Sequence, residues 1–291
     1  MFPPIRLEVA LETQVRPDFR QKLERGLELL PPFSPVLAKL LASLASEDVT
    51  VATLADWIEK DAVLAGRVLR HVNSAAYGCS QSVGSVRHAV AIMGMTKLRN
   101  LVLSISVCRL WTQMKPPQGW SPVRFNLHSV ATAALADLMA QHFPVEYGEG
   151  AFTAGLLHDI GKMLIALALP DEYLRINQLI RTSGRPPQAC EAELIGMTHE
   201  ELSAVVLTRW NLPVPIREAV AAHHGNHGLD NGSLAAVIEF ADSAVNKMGI
   251  SIVPPNPAVV MSSAAEVLTR EELVKLADAF EREFEALKAS F

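Results

Sequence analysis

The pair His158-Asp159 lies within an otherwise apolar stretch, Leu156-Leu157-His158-Asp159-Ile160-Gly161-Lys162. Burying an unpaired carboxylate is costly, so Asp159 needs a cation, a metal or several hydrogen-bond donors to stay ionised there. Imidazole and carboxylate together suit zinc, iron and manganese, and a bound divalent ion lowers the pKa of water enough to produce a nucleophile. The alternative is a helix cap or a buried His–Asp hydrogen bond, which the dipeptide taken alone favours.

Two more residues of ligand type lie in similar surroundings. His128 occurs in Asn126-Leu127-His128-Ser129-Val130-Ala131, on a predicted helix rich in alanine. Asp242 occurs in Ile238-Glu239-Phe240-Ala241-Asp242-Ser243-Ala244, which predicts a second small and apolar helix. Three predicted helices therefore each present a metal-ligating side chain from an apolar sequence.

The elements that carry these residues are predicted to be helical almost throughout. Residues 36–45 place their apolar side chains on one broad helical face. Shorter copies of this pattern follow around Trp57 and Val68, and Met163 to Leu169 reads as a buried helix segment. Alternating strand patterns are missing from the sequence, so the predicted fold class is all-α.

Proline-rich segments and one capping motif divide the chain. The run from Lys115 to Pro122 contains three prolines and a glycine, and it predicts a boundary between an N-terminal helical subdomain, 1–115, and a second one, 122–250. Thr269 and Glu272 form a capping box before an amphipathic pattern ending at Leu287. Residues 251–291 thus predict a C-terminal amphipathic helix that either packs on the core or forms a homodimer.

The amino-acid composition limits the classes of protein to which this chain can belong. The chain has 291 residues, of which 49% are hydrophobic and 20% charged, so a packed core without disulfides is expected. Its net charge of -5 argues against binding nucleic acid or anionic membranes by bulk electrostatics. Cys79, Cys108 and Cys190 lie far apart in sequence, which disfavours zinc ribbons and disulfide frameworks. No signal peptide or spanning stretch is visible, and a cytoplasmic location is expected.

His128, the pair His158-Asp159 and the late Asp242 match the H…HD…D ligand pattern of the HD phosphohydrolase superfamily. Upstream, the segments Leu30-Pro31-Pro32-Phe33-Ser34-Pro35, Ile58-Glu59-Lys60-Asp61 and Arg67-Val68-Leu69-Arg70-His71-Val72-Asn73-Ser74-Ala75-Ala76-Tyr77-Gly78 resemble the amino-terminal half of its HDOD branch. Downstream, His199-Glu200 and Arg209-Trp210-Asn211-Leu212-Pro213 are similar to the second half. The resemblance covers roughly residues 24 to 250.

The resemblance implies a helical N-terminal subdomain packed on an HD core, as in output domains of bacterial signalling proteins. Many HDOD members are described as having lost HD ligands, whereas this chain keeps all four. The four matching residues therefore favour a site for a divalent ion, of which iron, manganese, zinc and magnesium are the candidates, with Asp159 as the central ligand. The expected partner is a signalling protein or a nucleotide ligand.

His199, His223 and His224 are similar to positions that supply further metal ligands in the related HD-GYP enzymes. The alternative is that they are ordinary, partly exposed histidines beside the loop at Gly225. The Gly-Tyr-Pro signature itself does not follow His224, which argues against cyclic dinucleotide hydrolysis of that kind. Arg124 lies one helical turn before His128, near where those enzymes carry an acidic ligand, and a cation there opposes an additional metal.

Two functions remain open on the sequence. In the first, the chain is a regulatory output domain with a metal-capable HD site. In the second, it is an active metal-dependent phosphohydrolase acting on a nucleotide or another phosphate ester, with Asp159 and Lys162 as its catalytic residues. Lys162 contacts a phosphate in that interpretation, and the alternative is a solvated helix residue.

The other conspicuous residues are interpreted as structural. The Asn73-Ser74 pair is predicted to end a helix, and the four tryptophans are predicted to fill the core or an interface. The three cysteines read as small buried apolar residues. The remaining histidines, His71, His88, His142 and His227, are predicted to have no site role.

Overall fold

Helices and their connections make up the whole of the chain that the computed structural model describes, and no strand occurs among those residues. The structure describes residues 15–31, 33–44, 49–74, 77–78, 81–112, 118–225, 227–229, 232–252 and 269–290. The all-α prediction is therefore confirmed. The predicted domain bounds stay predictions, and Cys79, Pro116 and the Pro254-Pro255 segment lie outside the described residues.

The N-terminal half contains short helices whose starts follow from the sequence. They are α1 (Pro17–Leu29), α2 (Pro35–Ser43), α3 (Val51–Glu59), α4 (Ala62–Val72), α5 (Val86–Met93) and α6 (Met95–Thr112). Side chains of Ser34, Thr50, Asp61 and Ser85 accept hydrogen bonds from backbone amides in the first turns of α2 to α5. Such caps satisfy amides that have no partner within the helix, and they fix where each helix begins.

The second half is built around one long helix. Its elements are α7 (Pro122–His142), α8 (Ala151–Leu157), α9 (Ile160–Ala168), α10 (Pro170–Ser183), α11 (Pro187–Ile195), α12 (His199–Arg209), α13 (Val214–Ala221) and α14 (Leu234–Lys247). Helices α8 and α14 pack against α7, and α9 packs against α12. The alanine-rich sequence of α7 allows this close packing on several sides, because small side chains let neighbouring backbones approach.

The C-terminal helix, α15 (Arg270–Lys288), begins with the predicted capping box of Thr269 and Glu272. It packs on α7, and Phe280, Phe284 and Leu287 are buried. Its end also reaches the N-terminal half, where Glu283 pairs with Lys97 at 2.9 Å. The helix thus packs on the core, the first of its two predicted arrangements, and connects both halves of the chain.

The two halves share one continuous apolar core. Helix α1 packs against α9 of the second half. Trp111 on α6 stacks on Trp210, which follows α12, with ring centroids 6.1 Å apart. Trp111 is buried and Trp210 half-buried, as expected for residues that fill an interface.

The segment Gly148–Ala168, which includes α8 and α9, is the one part of the described chain without a sharp bend that is long and apolar enough to cross a membrane. It is 83% buried inside the fold, as in the core helix of a globular protein. The predicted buried helix from Met163 onward belongs to this segment. Asn73 ends α4 as predicted, and its side-chain amide group also bonds the backbone carbonyl and the backbone amide of Val83.

Candidate metal centre

The pair His158-Asp159 lies at a break between two helices and not within a continuous one. Helix α8 ends at Leu157, α9 begins at Ile160, and Asp159 has φ -99° and ψ 13°. The hydroxyl of Ser203 donates to the carbonyl of His158 at 2.7 Å and accepts from the amide of Gly161 at 2.8 Å. This clamp satisfies backbone groups that the break leaves unpaired, and it holds both side chains towards the interior.

Close helix contacts bring the remaining elements to this break. A Cβ atom at Gly161 would overlap the carbonyl oxygen of His199 and lie 2.8 Å from the amide of Ser203. A Cβ atom at Gly155 would lie 2.9 Å from the Cα of Ala133. Glycine at both positions therefore lets α9 reach α12 and lets α8 reach α7.

Four predicted ligands meet at one point. The Nε2 atom of His128 lies 3.3 Å from Nε2 of His158, 3.5 Å from Oδ2 of Asp159 and 3.0 Å from Oδ1 of Asp242. The Nε2 atom of His158 lies 3.3 Å from Oδ2 of Asp159 and 3.5 Å from Oδ1 of Asp242. All four side chains are buried, the most exposed residue being Asp242 at 5%. We call these residues the first group.

The other nitrogen of each imidazole in the first group is already used. Nδ1 of His128 lies 2.8 Å from the carbonyl oxygen of Ile250, and Nδ1 of His158 lies 2.8 Å from that of Gly155. A carbonyl only accepts, so each Nδ1 donates, and each Nε2 faces the centre, where it can bind a metal ion once it has released its proton. Backbone contacts of this kind orient histidine ligands in metal sites.

The further candidates His199, His223 and His224 form a second group next to the first. Nε2 of His199 lies 3.3 Å from Oδ1 of Asp159 and 3.1 Å from Nε2 of His224. Nε2 of His223 lies 3.8 Å from the same Oδ1. His199 and His223 are completely buried, so the alternative of partly exposed histidines is wrong for these two. Asp159 is shared by both groups.

Polar atoms without partners fit a cation at this centre. Oδ1 of Asp159 and Nε2 of His223 are buried and have no hydrogen-bond partner in the structure. Leaving such atoms unpaired costs about 1–3 kcal/mol each, and more for a charged oxygen. The donors are imidazole nitrogens and carboxylate oxygens, the set that divalent transition metals prefer. The residues present therefore fit a metal ion.

The electrostatics of the centre also favour a cation. Burial alone lowers the pKa of His158, but the carboxylates of Asp159 and Asp242 outweigh burial and raise it to about 10. His158 is thus protonated when no metal is bound, and its positive charge is held by the two carboxylates. In the second group, burial and repulsion from His199 lower the pKa of His224 to about 3. This imidazole is therefore neutral, and one of its two ring nitrogens carries a lone pair.

Two cationic side chains border the first group. The ammonium of Lys162 lies 2.7 Å from Oδ2 of Asp159, and its side chain is 20% exposed. Lys162 is therefore paired with the central carboxylate and is not a freely solvated residue. Arg124 is half-buried, and its Nε donates to the carbonyl of Ser251 at 3.0 Å, in the segment that also contacts His128 through Ile250.

Residues 30–226 match the family model of the HDOD domain. The chain belongs to the HDOD family. The match extends from the loop before α2 to the loop after α13 and includes every candidate ligand except Asp242.

Solved structures resemble this HDOD protein over nearly its full length. An HDOD domain protein with unknown function from Geobacter sulfurreducens is 21% identical, with a TM-score of 0.78 over 98% of this chain and 99% of that one. A Marinobacter aquaeolei VT8 protein named "Putative signal transduction protein" is 22% identical, with a TM-score of 0.71 over 97% and 63%. A Shewanella amazonensis SB2B protein named "Putative phosphohydrolase" is 24% identical, with a TM-score of 0.67 over 91% and 98%. These likenesses show the fold alone.

One curated relative, an uncharacterized protein of Treponema pallidum (strain Nichols), is 24% identical over 230 residues. The alignment covers 77% of the HDOD chain and 42% of the relative. The chain therefore spans less than half the length of the relative that it matches.

Two residues that hold this HDOD site together were not predicted from the sequence. Ser203 clamps the helix break, and the buried carboxylate of Glu191 lies 2.7 Å from Nδ1 of His199. The sequence gives a weak indication that Glu191 is buried, because this residue lies on the same helix as the apolar residues Cys190 and Ile195, both of which are buried. The sequence gives no such indication for Ser203, since serine is common on helices of every kind.

Proposed function

We propose that this HDOD protein is a cytoplasmic output domain of bacterial signalling that binds a divalent metal ion at its buried HD site. The observation that carries the proposal is the convergence of His128, His158, Asp159 and Asp242 at distances of 3.0–3.5 Å. Ligand atoms around one ion with bonds of about 2.0–2.2 Å lie roughly 3.0–3.5 Å apart. Packing alone gives no reason to gather two carboxylates and two imidazoles in a dry interior.

The ligand types bear on which metal binds. Imidazole favours zinc, iron and manganese, whereas magnesium prefers oxygen ligands and retains its waters. His128, His158, Asp159 and Asp242 would hold a first ion, and Asp159, His199, His223 and His224 a second one. Such ions supply Lewis acidity when bound. The chain's own residues orient the ligand atoms and exclude water from them.

A regulatory role is supported by burial and by domain packing. The ligand residues are exposed by 5% or less in the first group, which leaves little access for a substrate. Helix α1 packs against α9, the helix that begins beside Asp159, and α15 packs on α7, which carries His128. A change in charge at the site therefore acts on helices that contact both halves of the chain. A signalling protein or a nucleotide is the partner that we propose, and the homodimer stays a prediction.

A metal-dependent phosphohydrolase is the second candidate, and Lys162 favours it. Its part-exposed ammonium lies beside the central carboxylate, and an ammonium in that position attracts a phosphate group. In this function Lys162 would hold a phosphoryl oxygen while Asp159 holds the metal. The same four ligands are needed for either function, so the ligands themselves do not discriminate.

Turnover measured on metal-loaded protein separates the two functions. The full chain is loaded in turn with Fe²⁺, Mn²⁺ and Zn²⁺ and is assayed against phosphate monoesters, phosphate diesters and nucleotides, with Asp159→Ala as the control. The regulatory function predicts that metal binds and that no turnover exceeds that of Asp159→Ala. Turnover that requires both the metal and Asp159 would select the phosphohydrolase.

A further inference from the structure

Glu191 is a buried glutamate that contacts no candidate ligand except His199. It lies on α11 and is 3% exposed. Its Oε2 atom accepts two hydrogen bonds from that one residue, from the backbone amide of His199 at 2.8 Å and from Nδ1 at 2.7 Å. A carboxylate buried to this degree is stable only where donors satisfy it, and both of these donors belong to His199.

These two hydrogen bonds fix both the helix and the ring. His199 is the first residue of α12, so the bond to its amide satisfies a donor that has no partner within the helix. Because Nδ1 donates to Glu191, Nε2 is the nitrogen left for a metal ion, and it points away from Glu191. It lies 3.3 Å from Oδ1 of Asp159 and 3.1 Å from Nε2 of His224, within the second group.

We propose that Glu191 is the positioning residue for a metal ion in the second group. The proposal rests on the proposed metal-binding function and adds the residue that prepares His199 for it. A carboxylate that accepts from the distal nitrogen of a ligand histidine fixes its tautomer and orientation and raises the basicity of the nitrogen that binds the metal. Glu191 does not contact the ion itself.

Glu200 is the nearby carboxylate that could be mistaken for this residue. Its Oε2 lies 3.3 Å from the same Nδ1, a longer contact than that of Glu191, and its side chain is 13% exposed. The backbone amide of His199 is already bonded to Glu191. Glu200 therefore cannot replace the double contact, and Glu200→Gln is a matched control for removing one negative charge beside His199.

Metal binding to the full chain tests this role. Metal-free parent, Glu191→Gln, Glu191→Ala and Glu200→Gln are titrated with Co²⁺, and both the heat of binding and the visible absorbance of the bound ion are recorded. Glu191→Gln preserves an oxygen acceptor without the charge, and we expect it to bind the second equivalent about 10–100-fold more weakly. Glu191→Ala should lose the second equivalent and its absorbance. In both variants the first equivalent should bind as in the parent.

Several outcomes would overturn the proposal. Unchanged binding of both equivalents in Glu191→Gln and Glu191→Ala would refute the role of Glu191 and leave the metal-binding function intact. An equally large loss in Glu200→Gln would show that only the local charge matters. A parent that binds a single equivalent would remove the second ion and this role with it. A parent that binds no Co²⁺ would overturn the metal-binding function as well. Circular dichroism and thermal unfolding of each variant verify that the overall fold is retained.

Discussion

Oδ1 of Asp159 lies 3.3 Å from Nε2 of His199, while Oδ2 of the same carboxylate lies 3.5 Å from Nε2 of His128. One carboxylate thus connects two sets of imidazoles that come from different helices. Its pKa is raised by burial, but His158 and Lys162 hold it well below the usual value for an aspartate. Asp159 is therefore ionised in the interior and available to two cations.

Single substitutions in each group should remove metal selectively. Asp242→Ala removes a ligand of the first group only, and His224→Ala removes one of the second group only. Each variant should retain about half of the metal bound by the parent, because structural four-ligand sites tolerate the loss of a ligand poorly. Metal bound after loading and gel filtration is measured by mass spectrometry of the element. Loss of all metal in either variant would show that the two groups do not bind independently.

Gly161→Ala should destabilise the protein, because its Cβ would overlap the carbonyl of His199. Helices α9 and α12 must then separate, at a cost of about 1–3 kcal/mol in the free energy of unfolding. Chemical denaturation followed by circular dichroism measures this change.

Gly66→Ala is the matched control for that substitution. Gly66 lies within α4, and a Cβ there meets nothing within 4 Å. Alanine should stabilise this helix by about 0.5–1 kcal/mol. Equal effects of the two substitutions would contradict the close approach of α9 and α12.

His71 should make the stability depend on pH. Its Nδ1 lies 2.6 Å from Oγ of Ser290, just after α15, and Nε2 lies 3.3 Å from the hydroxyl of Tyr77. Burial lowers its pKa despite the opposing effect of Glu283. The folded state therefore binds a proton less readily than the unfolded chain does. The stability that His71 contributes is complete above about pH 6.5 and is lost as the pH falls below that value.

Comparison with His71→Gln isolates this contribution, because the histidines of the metal site are common to both proteins. Between about pH 8 and pH 5.5 the parent should lose more free energy of unfolding than His71→Gln does. The exposed His88 provides the control, and His88→Gln should follow the parent. Parallel pH profiles for the parent and His71→Gln would contradict the buried environment of His71.

Cys108 should be inert in the folded protein. Burial raises the pKa of its thiol to about 12, so the reactive thiolate is scarce at neutral pH. Cys190 is also completely buried. In a Cys79→Ser background, iodoacetamide should modify neither thiol until denaturant is added, as judged by mass spectrometry. Rapid modification of the native protein would mean that the interior around α6 opens readily.

The first group could be predicted from sequence because His128 and Asp242 are anomalous on apolar helices. Polar residues are ordinary on helices exposed to water. On an apolar helix face, however, a histidine or aspartate is costly to bury, so its presence there indicates a binding or structural role. The helices themselves could be predicted from the helical periodicity of apolar residues and from N-cap residues such as Thr269. The family resemblance added His199, His223 and His224 to the candidate ligands. The burial of His199 and His223 could not be predicted from the sequence.

Contacts between distant segments could not be predicted in the same way. Ser203 stabilises the helix break at Asp159 by bonding the carbonyl of His158, and Glu191 orients the ring of His199. Ser290 reaches His71 across 219 positions of the chain. Each of these contacts forms only when separate helices pack together, so no local pattern of residue types encodes it.

The metal content of the full chain tests the central claim most directly. The protein is purified without chelator, supplied with Fe²⁺, Mn²⁺ or Zn²⁺, freed of unbound ions and analysed by elemental mass spectrometry beside Asp159→Ala. We predict that the parent retains at least one of these metals in stoichiometric amount and that Asp159→Ala, which lacks the carboxylate shared by both groups, retains little. A folded parent that stays without metal, or an Asp159→Ala variant that binds as much as the parent, would contradict it.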